Sequence, residues 1–299
     1  MRNGDIWLDT MGNAIHAHGG GIIKVGKYFY WYGENRLGNA FVSMYRSEDC
    51  KNWEFRNNIL TCNSVCDTTF KSRKTNLTNE SGGKVIIERP KILFNKVIGK
   101  FVLWGHFENG INYTEAKCCV ATCDEIDGDY CYQGSFNPLG EMSRDCTLYE
   151  EDDVAYFISA SNDNKDLHVY KLTKDYLDID CQVNSLWKSK SREAPIIFKR
   201  EGVYYLMTSA CTGWCPNQGK YGTSTSISGE FTKLKKIGNR TTYHSQSFNT
   251  ININGKQYYL GDRWNAKDYS KSTYVFLEFE FNKKGELILN YNKNFDIQI

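Results

Sequence analysis

The chain is poor in proline, with 4 in 299 residues, and it has no long apolar run and almost no net charge. Each absence excludes something. Its longest apolar stretches, such as 28–32 and 194–198, fall far short of the ~20 residues that cross a bilayer. Thirty-seven basic against 35 acidic residues leave +2, which argues against a nucleic-acid partner, since that needs a net basic face. No ten-residue segment carries a convincing 3.6-residue apolar period, so helices are not expected to build the core. Charged residues at 24% and hydrophobic residues at 40% are a globular composition, not a disordered one. What is abundant is 20 Tyr, 16 Phe, 7 Trp and 25 Gly, a bias toward β structure.

The 11 cysteines are an odd number, so at least one cannot pair within the chain. Cys62 and Cys66 lie four apart, as do Cys211 and Cys215, and Cys118, Cys119 and Cys123 cluster. No histidine pair nearby completes a tetrahedral zinc set. Cys118 and Cys119 on one strand would face opposite ways. Buried or free thiols are expected, with no metal site and no cofactor.

Five segments repeat one design: 19–34 (GGGIIKVGKYFYWYGE), 89–107 (RPKILFNKVIGKFVLWGHF), 144–161, 193–210 and 245–264. Each is a short apolar strand, a polar turn and a second strand rich in aromatics, the signature of a hairpin. The turns fall near Gly26, Gly99, Asp153, Gly202 and Gly255. The first interval is longer than the others because it contains a polar stretch, 61–84, expected to be a surface-loop insertion. Further strands are expected at 40–46, 117–122, 167–172, 220–226 and 274–281. Five units of four antiparallel strands predict an all-β, five-bladed β-propeller, with residues 1–299 forming a single domain.

In such a ring the innermost strands line a central channel, and the residues at their starts gather at one mouth. Here these are His16-Ala17-His18-Gly19-Gly20, Glu88-Arg89-Pro90, Ser143-Arg144-Asp145, Arg192-Glu193-Ala194-Pro195 and His244-Ser245-Gln246-Ser247. A merely structural ring would place small or apolar groups there. Three carboxyl groups from three blades, Glu88, Asp145 and Glu193, suit glycoside hydrolysis. That chemistry needs an acid to protonate the leaving oxygen and, for inversion, a base on the opposite face of the sugar. Two neighbouring carboxylates raise one pKa and keep that acid protonated near neutrality.

The motifs HAHGGGI, YWYGE, ERPKI, SRDCTLY, REAPIIF, CTGW, SQS and GDRW, in this order, resemble glycoside hydrolase family 43, and within it the exo-β-1,3-galactanase branch. The likeness runs from about residue 9 to residue 281. It implies an inverting glycosidase without a cofactor that frees galactose from the non-reducing end of β-1,3-galactan. By position, Glu193 matches the general acid and Asp145 the carboxylate that tunes it. The usual base, an aspartate on the first blade, is missing here. Glu88 and Gln246 are its candidate replacements: the first is a carboxylate, while the second is an amide that could act only as an imidic acid or by placing water. The likeness also implies that Glu34, Tyr113, Asn164 and Thr212 bind the terminal sugar. His18 joins them, with Trp104, Trp214 and Trp264 as candidate aromatic platforms, whereas Trp31 and Trp53 are expected in the core.

The expected partner is a β-1,3-galactan or related oligosaccharide, bound by a monomer, with no nucleic acid or membrane partner. Residues 1–20 show no apolar core of a secretion signal, so only the substrate points outside the cell. Two other readings compete: an α-L-arabinofuranosidase or β-xylosidase of the same family, and a non-catalytic sugar-binding propeller.

Overall fold

The apolar–turn–aromatic units fold as hairpins in the computed structural model, which describes residues 1–295 and 297. Among the described residues, twenty strands form five four-stranded antiparallel sheets, each in sequence order from the innermost strand outward. Blade 1 is β1 (His18–Val25), β2 (Tyr28–Glu34), β3 (Ala40–Ser47) and β4 (Glu54–Thr61). Blade 2 is β5 (Ile86–Asn95), β6 (Lys100–Glu108), β7 (Lys117–Cys123) and β8 (Cys131–Phe136). Blade 3 is β9 (Cys146–Glu151), β10 (Val154–Ser161), β11 (Asp166–Leu172) and β12 (Ile179–Leu186). Blade 4 is β13 (Arg192–Arg200), β14 (Val203–Ala210), β15 (Lys220–Ser224) and β16 (Lys235–Lys236). Blade 5 is β17 (Gln246–Ile253), β18 (Lys256–Arg263), β19 (Thr273–Phe281) and β20 (Leu287–Leu289). The fold is therefore a five-bladed β-propeller. The strand expected to reach residue 226 stops at Ser224, and helix is confined, among the described residues, to three single 3₁₀ turns.

The aromatic bias of the second strands has a direct cause. Successive side chains on a strand point to opposite faces, and each second strand lies between two inter-blade cores. In β2, Phe29 and Trp31 enter the core shared with blade 5, while Tyr30 and Tyr32 enter the one shared with blade 2. In β6, Val102 and Trp104 face blade 3, and Leu103 and Phe107 face blade 1. The five apolar clusters correspond to the five junctions. A buried aromatic here contributes roughly 1.5–3 kcal/mol relative to exposure. Trp31 and Trp53 are both in the core, as expected.

Glycine marks the turns where the backbone is left-handed, as at Gly202 (φ 79°) and Gly255 (φ 79°). In blade 3, Asp152 and Asp153 take the turn with φ of 53° and 58°, both positive as a type I′ hairpin demands. The 61–84 insertion is more than a loose loop. It pairs along β8 through Asp67 N to Tyr132 O (2.8 Å) and Lys74 N to Ser135 O (3.0 Å), covering an otherwise open edge. The ring closes where Phe295 N meets Met1 O at 2.9 Å and where Trp7 and Phe295 fill the junction of blades 1 and 5. No disulfide forms among the described residues, and all eleven thiols are free.

Four of the five innermost strands carry a bulge at one mouth of the channel. Register slips between His18 and Gly21, Glu88 and Lys91, Glu193 and Ile196, and Ser247 and Asn249. The residue after the first three, Gly19, Arg89 or Ala194, has φ of 62°, 53° or 52°. Arg89 and Ala194 hold this strained conformation without being glycine, a cost of about 1–3 kcal/mol that clusters at functional sites. A bulge re-aims a side chain, and here it turns the bulge residues of separate blades toward a common mouth.

Candidate active site

The mouth holds a pocket of about 310 Å³. Nine residues singled out from the sequence line it: Glu34, Glu88, Tyr113, Asp145, Asn164, Glu193, Trp214, Gln246 and Trp264. Others do not reach it. His18 has no exposed surface; its Nδ1 meets Asp262 at 2.9 Å and its ring stacks on Tyr274. It supports the floor and does not face a ligand. Thr212 turns into its own loop, where its hydroxyl donates to Cys215 O at 2.6 Å and accepts from Asn217. Trp104 is fully buried against Phe157, and its indole N–H donates to Tyr176 O, so it is core and not a platform.

The walls differ in chemistry. On one side Glu88 Oε1 accepts from Arg36 (2.6 Å) and from the Tyr113 hydroxyl (2.7 Å). Its Oε2 lies 3.2 Å from His106 Nδ1. Burial pushes the Glu88 pKa up, but the His106 contact, the His106 charge and Arg36 outweigh it and hold the carboxyl at about 2. Glu34 accepts from Arg89 N (3.1 Å), Arg36 (3.3 Å) and Tyr269 (3.2 Å). Burial raises its pKa, and Arg36 offsets only part of that.

On the other side Glu193 has, among the described residues, no cation as a hydrogen-bond partner. Gln246 Nε2 donates to its Oε1 at 2.9 Å, and Asn164 Nδ2 approaches Oε2 at 3.4 Å. Burial first, and the Asp145 charge second, raise its pKa to about 7, against the pull of Arg89. Asp145 is fixed by Ala194 N (3.0 Å) and Arg89 (3.1 Å). Gln246 is fixed at both ends. Its Oε1 accepts from Arg89 and from the Trp264 indole (2.8 Å), and its Nε2 also donates to Ser209 (3.0 Å). Trp214 stands at the rim, 45% exposed, with its edge toward Trp264.

Arg36, Arg89, His106 and Arg144 also line the pocket; the sequence placed Arg89 and Arg144 at the mouth without a role and did not point to Arg36 or His106. Arg89 and Arg144 sit inside the ERP and SRD motifs, and His106 ends the WGH of the second hairpin; a search for counter-charges to the three carboxylates would have reached them. Glu88, His106 and Asp145 each bring one donor atom within 4.8 Å of the others, the spacing of a metal site. The charges do not suit one: Arg36 already pairs with Glu88, and Arg89 with Asp145, so a metal ion would be held beside two guanidinium groups.

Fold and site together define a five-bladed propeller with a carboxylate-lined pocket at the channel mouth. Residues 17–260 match the model of glycosyl hydrolases family 43, and the chain belongs to that family. Among solved structures it is similar to an exo-β-1,3-galactanase from Clostridium thermocellum, at 42% identity and a TM-score of 0.87, over 97% of this chain and 65% of that one. An exo-β-1,3-galactanase from Phanerochaete chrysosporium, solved with β-1,3-galactotriose, is 31% identical with a TM-score of 0.87, over 98% of this chain and 67% of that one. A family 43 β-1,3-galactosidase solved with galactodeoxynojirimycin is 29% identical with a TM-score of 0.89, over 99% of this chain and all of that one. A comparison with curated proteins finds no match.

Proposed function

We propose that the chain is one catalytic domain that releases galactose from the non-reducing end of β-1,3-galactan with inversion. The observation that carries this reading is the Asp145–Glu193 pair: a carboxyl whose pKa rises to about 7 beside a second carboxylate, inside a polar pocket. Glu193 is then the general acid, protonated near neutrality and able to give its proton to the leaving oxygen. Asp145 raises its pKa and, through Ala194 N, fixes the strand that carries it. Support for the sugar and linkage comes from the 42% identity with one exo-β-1,3-galactanase and the galactotriose bound to another.

A pocket of about 310 Å³ is at the small end of ligand sites. It suits the end of a chain better than a length of it, which favours exo action. Glu34, Tyr113 and Asn164 offer hydroxyl partners, and Trp214 and Trp264 offer aromatic faces. Water must be activated on the face opposite Glu193, by Glu88 or by Gln246 acting in place of the family's aspartate. Two donors already point at Gln246 Oε1, which favours its amide form and a role in placing water.

The test is hydrolysis of β-1,3-galactobiose followed by proton NMR. The α-anomer of galactose should appear first. Initial appearance of the β-anomer would overturn inversion, and faster cleavage of an aryl arabinofuranoside would favour the arabinofuranosidase reading. No turnover of either would favour a sugar-binding propeller.

A further inference from the structure

His106 is 2% exposed and stands between two carboxylates. Its Nε2 lies 2.9 Å from Glu108 Oε1, and its Nδ1 lies 3.2 Å from Glu88 Oε2. Glu108 is fully buried and accepts two further hydrogen bonds, from Glu115 N at 2.9 Å and Ala116 N at 3.1 Å. A neutral imidazole has one N–H and would face one of these carboxylates with a lone pair. His106 Nδ1 makes no aligned hydrogen bond, so its 3.2 Å contact with Glu88 is that of an ion pair, repulsive for a bare lone pair and attractive only when the ring is charged. The register agrees: His106 is the cross-strand partner of Glu88, as Ser209 is of Glu193. The two glutamates occupy equivalent bulges, and the residue opposite each differs.

We propose that His106, kept as an imidazolium by Glu108, is a positioning residue that holds Glu88 as an anion across the working pH range. Glu88 then receives sugar hydroxyls or water as a strong acceptor, but it takes a proton poorly. This deepens the reading above and rests on it for the identity of the ligand, though not for the charge state of His106. The groups facing His106 are Glu88 on β5, Glu108 on β6, the Asp145 carboxylate at the start of β9 and the Tyr113 ring. Arg36 lies beyond Glu88. Burial opposes the charge, yet the two carboxylates together raise the His106 pKa to about 9.

The experiment is an NMR titration of the five histidines in the free protein, with His106→Gln assigning the signal. One imidazole should keep both ring protons through pH 8 and lose one only near 9. If every histidine is neutral by pH 7.5, the proposal is overturned, whatever the substrate proves to be. A second readout is KM for β-1,3-galactobiose. In the parent it should stay level down to about pH 4. In His106→Gln, Glu88 regains an ordinary carboxyl pKa and KM should climb about tenfold per pH unit below roughly 4.5. Equal profiles in the two proteins would show that His106 only fills space.

Discussion

Glu88 and Glu193 sit at the same place in two blades. Each lies at the bulge of an innermost strand, and each is followed by a left-handed residue and then a proline. Their carboxyls nevertheless behave as opposites, one held at about 2 and the other raised to about 7. The repeat therefore fixes where a side chain goes but not how it ionises. What separates them is the loops that reach each one and the residue that faces each across the strand pair. Glu88 is met by Arg36 from the β2–β3 loop, by Tyr113 from the β6–β7 loop and by His106 across the strand pair. Glu193 is met by two amides and faces the negative charge of Asp145. A pocket that must both grip a polar ligand and keep one proton in reserve needs both settings.

The sharpest way to break this contrast is to remove the proton. Glu193→Gln should lower turnover of β-1,3-galactobiose by roughly 10²–10⁴-fold, the usual worth of a general acid. Calorimetric binding of the same disaccharide should survive. Turnover near the parent's would end the assignment of Glu193. Stability gives an independent check of the raised pKa. Glu193 ionises near 4.5 when unfolded but near 7 when folded, so the folded state loses stability as pH rises between those values. The glutamine variant lacks that loss and should melt no lower than the parent at pH 8.

Asp145→Asn should act on the same proton more gently. Removing the charge relieves the repulsion that discourages ionisation of Glu193 and leaves Arg89 to pull its pKa down further. The alkaline limb of kcat/KM reports the free enzyme's acid. It should lie near pH 7 in the parent and move to lower pH in the variant, with a rate loss of about tenfold or more at pH 7. An unmoved limb would mean that burial alone sets the Glu193 pKa.

Much of this is legible in the sequence alone. The hairpin turns, the five repeats and the bulge motifs are local patterns, and local patterns survive as sequence. Nine of the predicted residues meet in one pocket because a propeller brings the starts of its inner strands together. The failures share a cause of another kind. Trp104, Trp214 and Trp264 look alike in a sequence, but alternation along β6 sends Trp104 into the junction with blade 3 while Trp214 stands on a loop. His18 lies beside the bulge glycines, yet its ring turns down onto Asp262. The ionisation of Glu88 was the least legible feature, since its partners come from residues 36, 106 and 113 and no single motif contains them.

The weakest element of the contrast is the rim. Trp214 is 45% exposed, touches Trp264 edge-on at 5.8 Å and lies 6.0 Å from the Arg36 guanidinium. With Tyr113, 44% exposed, it is one of two aromatics of the pocket wall open enough to stack on a sugar as it enters. Aromatic contacts of this sort contribute about 0.5–1.5 kcal/mol beyond area burial, which corresponds to roughly a 2- to 13-fold change in affinity. Trp214→Ala should therefore raise KM for β-1,3-galactobiose within that range. Because the ring takes no part in an inter-blade core, kcat and the melting temperature should stay near the parent's. A large fall in kcat would place Trp214 among the groups that set the acid side of the pocket. A large fall in melting temperature would mean that the rim, like the blade junctions, is held together by its aromatics.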